Sequence, residues 1–294
     1  MVKMEELTEI MAVRKFSDLI QENLPPFESW IEPKILPKRG IWIMGGLTGI
    51  GKSYITMDLV RALTTATNPW DCPHLTVPAP CRVLYVEQEI GEYGLQERAR
   101  RVFERHQPRT YDERAFFSSQ DPAFQLDTPE GRKHICEEIR ECRPNVLILD
   151  PISDFHTSEE SDNTAISKIF LTIKELKTAS LDDDMSVIIL HHFKKPPNGK
   201  VMAAGYDGLS EDNFRGAGKW TASPDTVTTM EKKGGNKVWW NLQLRWNKMR
   251  HGKELDDMLL RVEPEAPFTQ VTFEKMIGDA PKLKPTGKGK QAQI

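Results

Sequence analysis

The sequence predicts an α/β fold: a mostly parallel, twisted sheet covered by helices, with antiparallel strands at its C-terminal end. Three observations predict it. Short apolar runs without polar alternation recur up to Leu190 and are separated by helical stretches, the pattern of strands buried on both faces. A glycine-rich turn joins one of these runs, Ile41-Trp42-Ile43-Met44, to a helix starting near Tyr54. Beyond Lys219 the pattern changes: Asp225–Met230 and Lys237–Trp246 flank Lys233-Gly234-Gly235-Asn236 and read as an antiparallel hairpin.

Taken in order, residues 1 to about 22 carry Leu7, Ile10, Met11, Val13, Phe16, Leu19 and Ile20 at roughly helical spacing. Such an arm either packs on its own domain or docks on a neighbouring subunit. Pro25, Pro26, Pro33 and Pro37 then break regularity. After the helix behind the glycine turn comes a proline-rich loop and a second buried strand, Arg82–Glu89, ending in acids. A charged helix follows over Gly94–His106, then a short strand near Arg114–Phe117. Thr128-Pro129-Glu130 opens a helix running to Cys142 with a capping threonine, proline at the first position and an acid in the first turn. The run Val146–Asp150 is a strand, Asp162–Ala179 a helix, and Ser186–Leu190 a strand leading into His191-His192. Phe193–Lys219 is a long polar loop. Two further short strands, near Met258–Val262 and Phe268–Phe273, complete the core. The stretch from Lys275 to Ile294 holds five lysines and one aspartate and reads as a disordered tail. The domain boundaries expected are therefore an arm and linker at 1–36, a core domain at 37–274 and a basic tail at 275–294.

The glycine turn, Gly46-Leu47-Thr48-Gly49-Ile50-Gly51-Lys52-Ser53, fits G-x-x-x-x-G-K-[ST] between a strand and a helix, the setting in which that motif cradles phosphates. Glycines let the backbone close around a phosphate chain, and the helix start at Ser53-Tyr54 adds free N–H donors and partial positive charge. Lys52 is expected on the β- and γ-phosphates of ATP, and Ser53 on Mg²⁺. Asp150 closes an apolar strand and is the expected second holder of the Mg²⁺ shell. A carboxylate must also orient the attacking water. Glu87 and Glu89 both end the second strand and, at period two, share one side, so the pattern leaves the choice between them open. His191-His192 ends another strand; neighbouring strand residues face opposite ways and no third ligand has metal spacing. A polar group that senses the γ-phosphate is the expected use of the pair, a hydrogen-bonded structural histidine the alternative.

The order of the phosphate loop, Val83–Glu89, Asn145–Pro151, Ile188–Lys194 and Arg215-Gly216-Ala217-Gly218 resembles the RepA-type ATPases, hexameric plasmid and phage helicases of the RecA/DnaB superfamily. The likeness covers roughly Pro37 to Phe273 and implies a RecA-like core. By that resemblance Glu89 is the catalytic glutamate, His192 the phosphate sensor, and Lys248 and Arg250 of Lys248-Met249-Arg250-His251-Gly252 reach a neighbour's nucleotide in trans. It also implies a ring, six subunits in the family, moving on single-stranded DNA. Lys194, Lys195, Lys200, Arg215 and Lys219, with Phe193, Tyr206 and Phe214 interleaved, suit a single strand by phosphate contact and base stacking. Asp207, Glu211 and Asp212 offset part of that charge. A filament-forming recombinase and a nucleotide-gated loader are the competing expectations.

Bulk properties narrow the rest. A net charge of −3 excludes a generally basic nucleic-acid binder, so any DNA contact must be local. No apolar run approaches the roughly 18 residues a membrane span needs, and the N-terminus shows no apolar signal core. Cys72, Cys81, Cys136 and Cys142 have neither C-x-x-C nor zinc spacing and read as reduced thiols of a cytoplasmic protein.

Overall fold

The computed structural model describes residues 15–104, 113–180, 184–194, 207–214, 218–265 and 269–278. Its elements in chain order are α1 (Phe16–Gln21), β1 (Ser29–Ile31), β2 (Leu36–Pro37), β3 (Ile41–Gly46), α2 (Lys52–Thr65), β4 (Val83–Glu87), α3 (Gly91–Phe103), β5 (Ala115–Ser119), α4 (Pro129–Cys142), β6 (Val146–Asp150), α5 (Asn163–Ala179), β7 (Ser186–His192), α6 (Lys219–Ala222), β8 (Thr226–Gly235), β9 (Trp240–Met249), β10 (Asp257–Glu263) and β11 (Gln270–Ile277).

Among the described residues nine strands form one sheet in the order β11-β10-β9-β8-β3-β7-β6-β4-β5. From β8 to β5 every pairing is parallel, and from β8 to β11 every pairing is antiparallel. The parallel strands β3, β4, β6 and β7 are buried almost end to end, because helices cover both faces. Alternate residues serve opposite layers. Trp42, Met44, Tyr85, Ile148 and Ile188 pack with α2 and α3, whereas Ile41, Ile43, Leu84, Leu147 and Ile189 pack with α4 and α5. β10, and β9 as far as Asn247, instead alternate between buried and half-buried positions.

Local signals hold at the helix starts. The Thr128 hydroxyl accepts from the Gly131 N–H at 3.1 Å, and the Asp162 carboxylate accepts from the Thr164 N–H at 2.7 Å. Three expectations shift. The segment read as linker carries β1 and β2, and Ile31, Ile35 and Leu36 are fully buried in the same core as α2, so packing continues across the boundary expected at 36/37. β11 runs to Ile277, with Lys275 opposite Leu259, so the expected tail begins inside a paired edge strand. Of the N-terminal arm only the part from Lys15 is described; α1 buries no residue there, and Phe16 and Ile20 are each at least 80% exposed.

Candidate nucleotide site

The glycine-rich loop leaves the sheet where β3 ends, between β7 and β8. Gly49 has φ 78° and Gly51, the N-cap of α2, has φ 109°, both in the left-handed region that a side chain disfavours. At Gly49 the demand is purely conformational, since a Cβ there would meet nothing within 4 Å. The turn thus delivers Lys52 and Ser53 at the first turn of α2, with that helix's free N–H groups beside them.

Lys52 is 5% exposed and its ammonium is already satisfied. Nζ donates to the carbonyls of Gly46 and Leu47, each at 2.9 Å, and lies 3.0 Å from His192 Nδ1. Burial lowers its pKa to about 8, while the charges of Asp150 and Glu89 act against that. An ammonium can only donate, so His192 Nδ1 accepts, and the proton of the neutral ring sits on Nε2. That nitrogen faces Glu89 Oε2 at 3.8 Å, and Thr48 Oγ1 lies 3.3 Å from Nδ1. Lys52, His192, Glu89 and Thr48 therefore form one polar cluster at the mouth of the loop.

Period two explains who meets whom. Tyr85, Glu87, Asp150 and His192 all fall on the face that looks to α2, two positions on from core residues of that layer. Asp150 is 2% exposed; the Tyr85 hydroxyl donates to its Oδ2 at 2.6 Å, and the nearby Ser53 side chain favours its charged form. Burial raises its carboxyl to about 6 against the pull of those partners and of Lys52. His191 faces the other way, fully buried, with its ring 4.8 Å from Trp220 and 5.2 Å from Phe214.

The two glutamates separate sharply. β4 stops at Glu87, and there the alternation that made them equivalent stops too. Glu87 is 1% exposed, and its carboxylate accepts from the N–H groups of Glu89, Ile90 and Gly91 at 2.7, 2.7 and 3.2 Å. It is spent on the start of α3, and burial raises its pKa. Glu89 lies beyond the strand, its side chain 45% exposed and turned toward His192.

Other expected residues lie elsewhere. Lys248 Nζ donates to the carbonyls of Thr221 and Ala222 at 3.1 and 2.8 Å, and Arg250 to Asp225 and Ala222 at 3.3 and 3.2 Å. Both sit level with the beginning of β3, at the sheet edge opposite the loop. Lys194 and Lys219 are exposed; Lys195, Lys200, Tyr206 and Arg215 lie outside the described residues. Phe193 and Phe214 correct an expectation: they are 1% and 4% exposed and pack on each other at 5.1 Å. They fill the space a Cβ on Gly45 would need, 2.3 and 2.5 Å away, so they brace the β3 end and are not free to stack on bases. Sequence reasoning missed Tyr85, whose one signal is a hydroxyl inside an otherwise apolar strand.

Comparison with known proteins agrees with this geometry. A family model described as an AAA domain matches residues 5–198, well over half the chain, and the chain belongs to that family. The matched span includes the phosphate loop, Glu87, Glu89, Asp150 and His192 and stops before β8. No curated protein matches the chain.

Proposed function

We propose that this AAA-domain protein, a nucleotide-dependent P-loop ATPase, is a motor on single-stranded DNA, a ring-shaped helicase of the RepA type that hydrolyses Mg-ATP at subunit boundaries. One observation carries the proposal. His192 touches the phosphate-loop lysine and faces Glu89, and the residue after it, Phe193, packs against β3 and opens the loop that carries Lys194. A change at the phosphates thus has a short covalent route into a basic loop.

In this reading Lys52 exchanges the carbonyls of Gly46 and Leu47 for the β- and γ-phosphate oxygens, for which a charged partner is the stronger attraction. Glu89 takes the proton of the attacking water, and His192 hydrogen-bonds the γ-phosphate and loses that partner on release. The Ser53 hydroxyl and the Asp150 carboxylate are neighbouring hard oxygen donors, a set that fits Mg²⁺. Mg²⁺, when bound, neutralises phosphate charge. Lys194, Lys195, Lys200, Arg215 and Lys219 are the proposed strand contacts, and Lys248 and Arg250 the proposed contacts to a neighbour's nucleotide.

A nucleotide-gated loader is the second reading, favoured by one fact: Lys248 and Arg250 are engaged on carbonyls of their own chain. The deciding experiment measures ATP turnover with and without single-stranded DNA, alongside light scattering on a sizing column. The motor reading expects several-fold stimulation by DNA and a closed oligomer. A monomer whose turnover ignores DNA sinks it in favour of the loader.

A further inference from the structure

The β8–β9 hairpin does more than extend the sheet. β8 pairs with β3 from Trp42 to Gly46 and then continues to Gly235, past the point where β3 becomes the phosphate loop. This overhang brings Trp240, the first residue of β9, onto the loop. Its indole N–H donates to the Ile50 carbonyl at 2.8 Å, and the edge of its ring would stand 3.0 Å from a Cβ on Gly51. Trp240 is 7% exposed, with the Lys232 ammonium over its ring at 4.3 Å and Tyr54 against its edge at 6.4 Å. Arg98 in turn lies 4.9 Å over Tyr54.

We propose that Trp240 is a positioning residue for the phosphate loop: it clamps the Ile50-Gly51 peptide so that Gly51 holds its left-handed turn before a nucleotide arrives. The physical argument is pre-organisation. Gly51 has to hold a left-handed turn where the loop meets α2, and a glycine has more backbone freedom to lose than any other residue. A buried hydrogen bond to the preceding carbonyl, plus a ring against its Cα, restricts that freedom in advance. The clamp comes from a strand beyond the span the AAA-domain model matches, so it belongs to this chain's own C-terminal hairpin. The inference rests on nucleotide binding alone and does not need the DNA reading.

The test uses the full chain with Trp240→Phe, which keeps an aromatic ring and removes the donor, and Trp240→His, which keeps a donor on a smaller ring. Affinity for N-methylanthraniloyl-ADP is read by fluorescence polarisation well below the melting temperature of every variant, so that all are folded. KM and kcat for ATP are read in parallel. The expected result is a dissociation constant raised about three- to tenfold in Trp240→Phe, less in Trp240→His, with KM rising and kcat within about twofold of the wild type. A Trp240→Phe affinity equal to wild type overturns the proposal, as does a fall in kcat with KM unchanged. Should Trp240→Phe not fold, equal affinity in Trp240→His and wild type, with a KM that does not move, overturns it; a dissociation constant raised more than about twofold, with KM rising in step and kcat kept, supports it. A wild type that binds the probe without turnover would count against the ATPase, and the affinity comparison would still decide the clamp.

Discussion

The two edges of the parallel sheet both gather cations, and they use them in opposite ways. At the carboxyl edge Lys52 is buried, within the electrostatic reach of two acids, and among the described residues its hydrogen bonds go to carbonyls and an imidazole. At the amino edge Lys248 and Arg250 close a structural knot. They cover the last carbonyls of α6, where positive charge complements a helix end, and Arg250 pairs with Asp225. Asp225 also accepts from the N–H of Ile41 at 2.9 Å and so pins the start of β3. Roughly 16 Å of strand separates the two edges, taking about 3.3 Å per residue. Residue type alone therefore says little; the register of β3, β8 and β9 decides which cations can meet this chain's own phosphates.

The comparison breaks most directly at Lys52. Lys52→Ala removes the one ammonium at the carboxyl edge that the loop itself delivers, and nucleotide affinity should fall by about 100-fold, the worth of two charge-assisted hydrogen bonds. ATP turnover should disappear with it. Isothermal titration with ATP checks the binding, and an affinity within a few-fold of wild type would mean that the loop amides hold the phosphates unaided.

The glutamate pair sharpens the picture next. Glu89→Gln should lower kcat by about 10²- to 10³-fold while leaving nucleotide bound, because an amide cannot accept the water's proton. Glu87→Gln should act on the fold instead. It exchanges one acceptor oxygen for an amide nitrogen facing a backbone N–H at the start of α3, and costs roughly 1–2 kcal/mol of stability, read as a lower denaturant midpoint, with kcat within a few-fold of wild type. If the two kinetic effects came out reversed, Glu87 would be the base and the capping hydrogen bonds would have to open during turnover.

That pair also marks how far the sequence could be read. Unbroken apolar runs revealed the buried strands, and the spacing of the glycine motif placed the loop, because both depend on residues close along the chain. Asp150 was legible for the same reason, as the polar end of an apolar run. Glu87 and Glu89 were not separable, since period two ends where β4 ends and that point is set by the N–H groups of α3. Phe193 and Phe214 looked like stacking aromatics because nothing in their neighbourhood signals Gly45, which is far away in sequence and supplies the hole they fill. Pro33 and Pro37 read as linker punctuation, yet Ile31, Ile35 and Leu36 between and before them are core. Lys248 and Arg250 form a recognisable motif, but their partners at Ala222 and Asp225 depend on the register of an antiparallel pair.

The smallest expected effect on stability belongs to the residues that best divide the proposed functions. Arg250 is half exposed and its two hydrogen bonds are long, so Arg250→Ala should cost an isolated subunit less than about 1 kcal/mol. Lys248→Ala, losing two carbonyl contacts at a less exposed site, should cost about 1 kcal/mol. Burial already lowers the Lys248 pKa, which means the folded chain gains little from its charge. A structural knot alone therefore predicts turnover close to wild type in both variants. A loss of turnover of about 10³-fold at a nearly unchanged melting temperature cannot come from a knot on the far edge of the same subunit. It would require these cations to leave their own carbonyls for a neighbour's nucleotide. Mixing Arg250→Ala subunits with Lys52→Ala subunits then tests the same point, because activity should return only at boundaries where an intact loop faces an intact arginine.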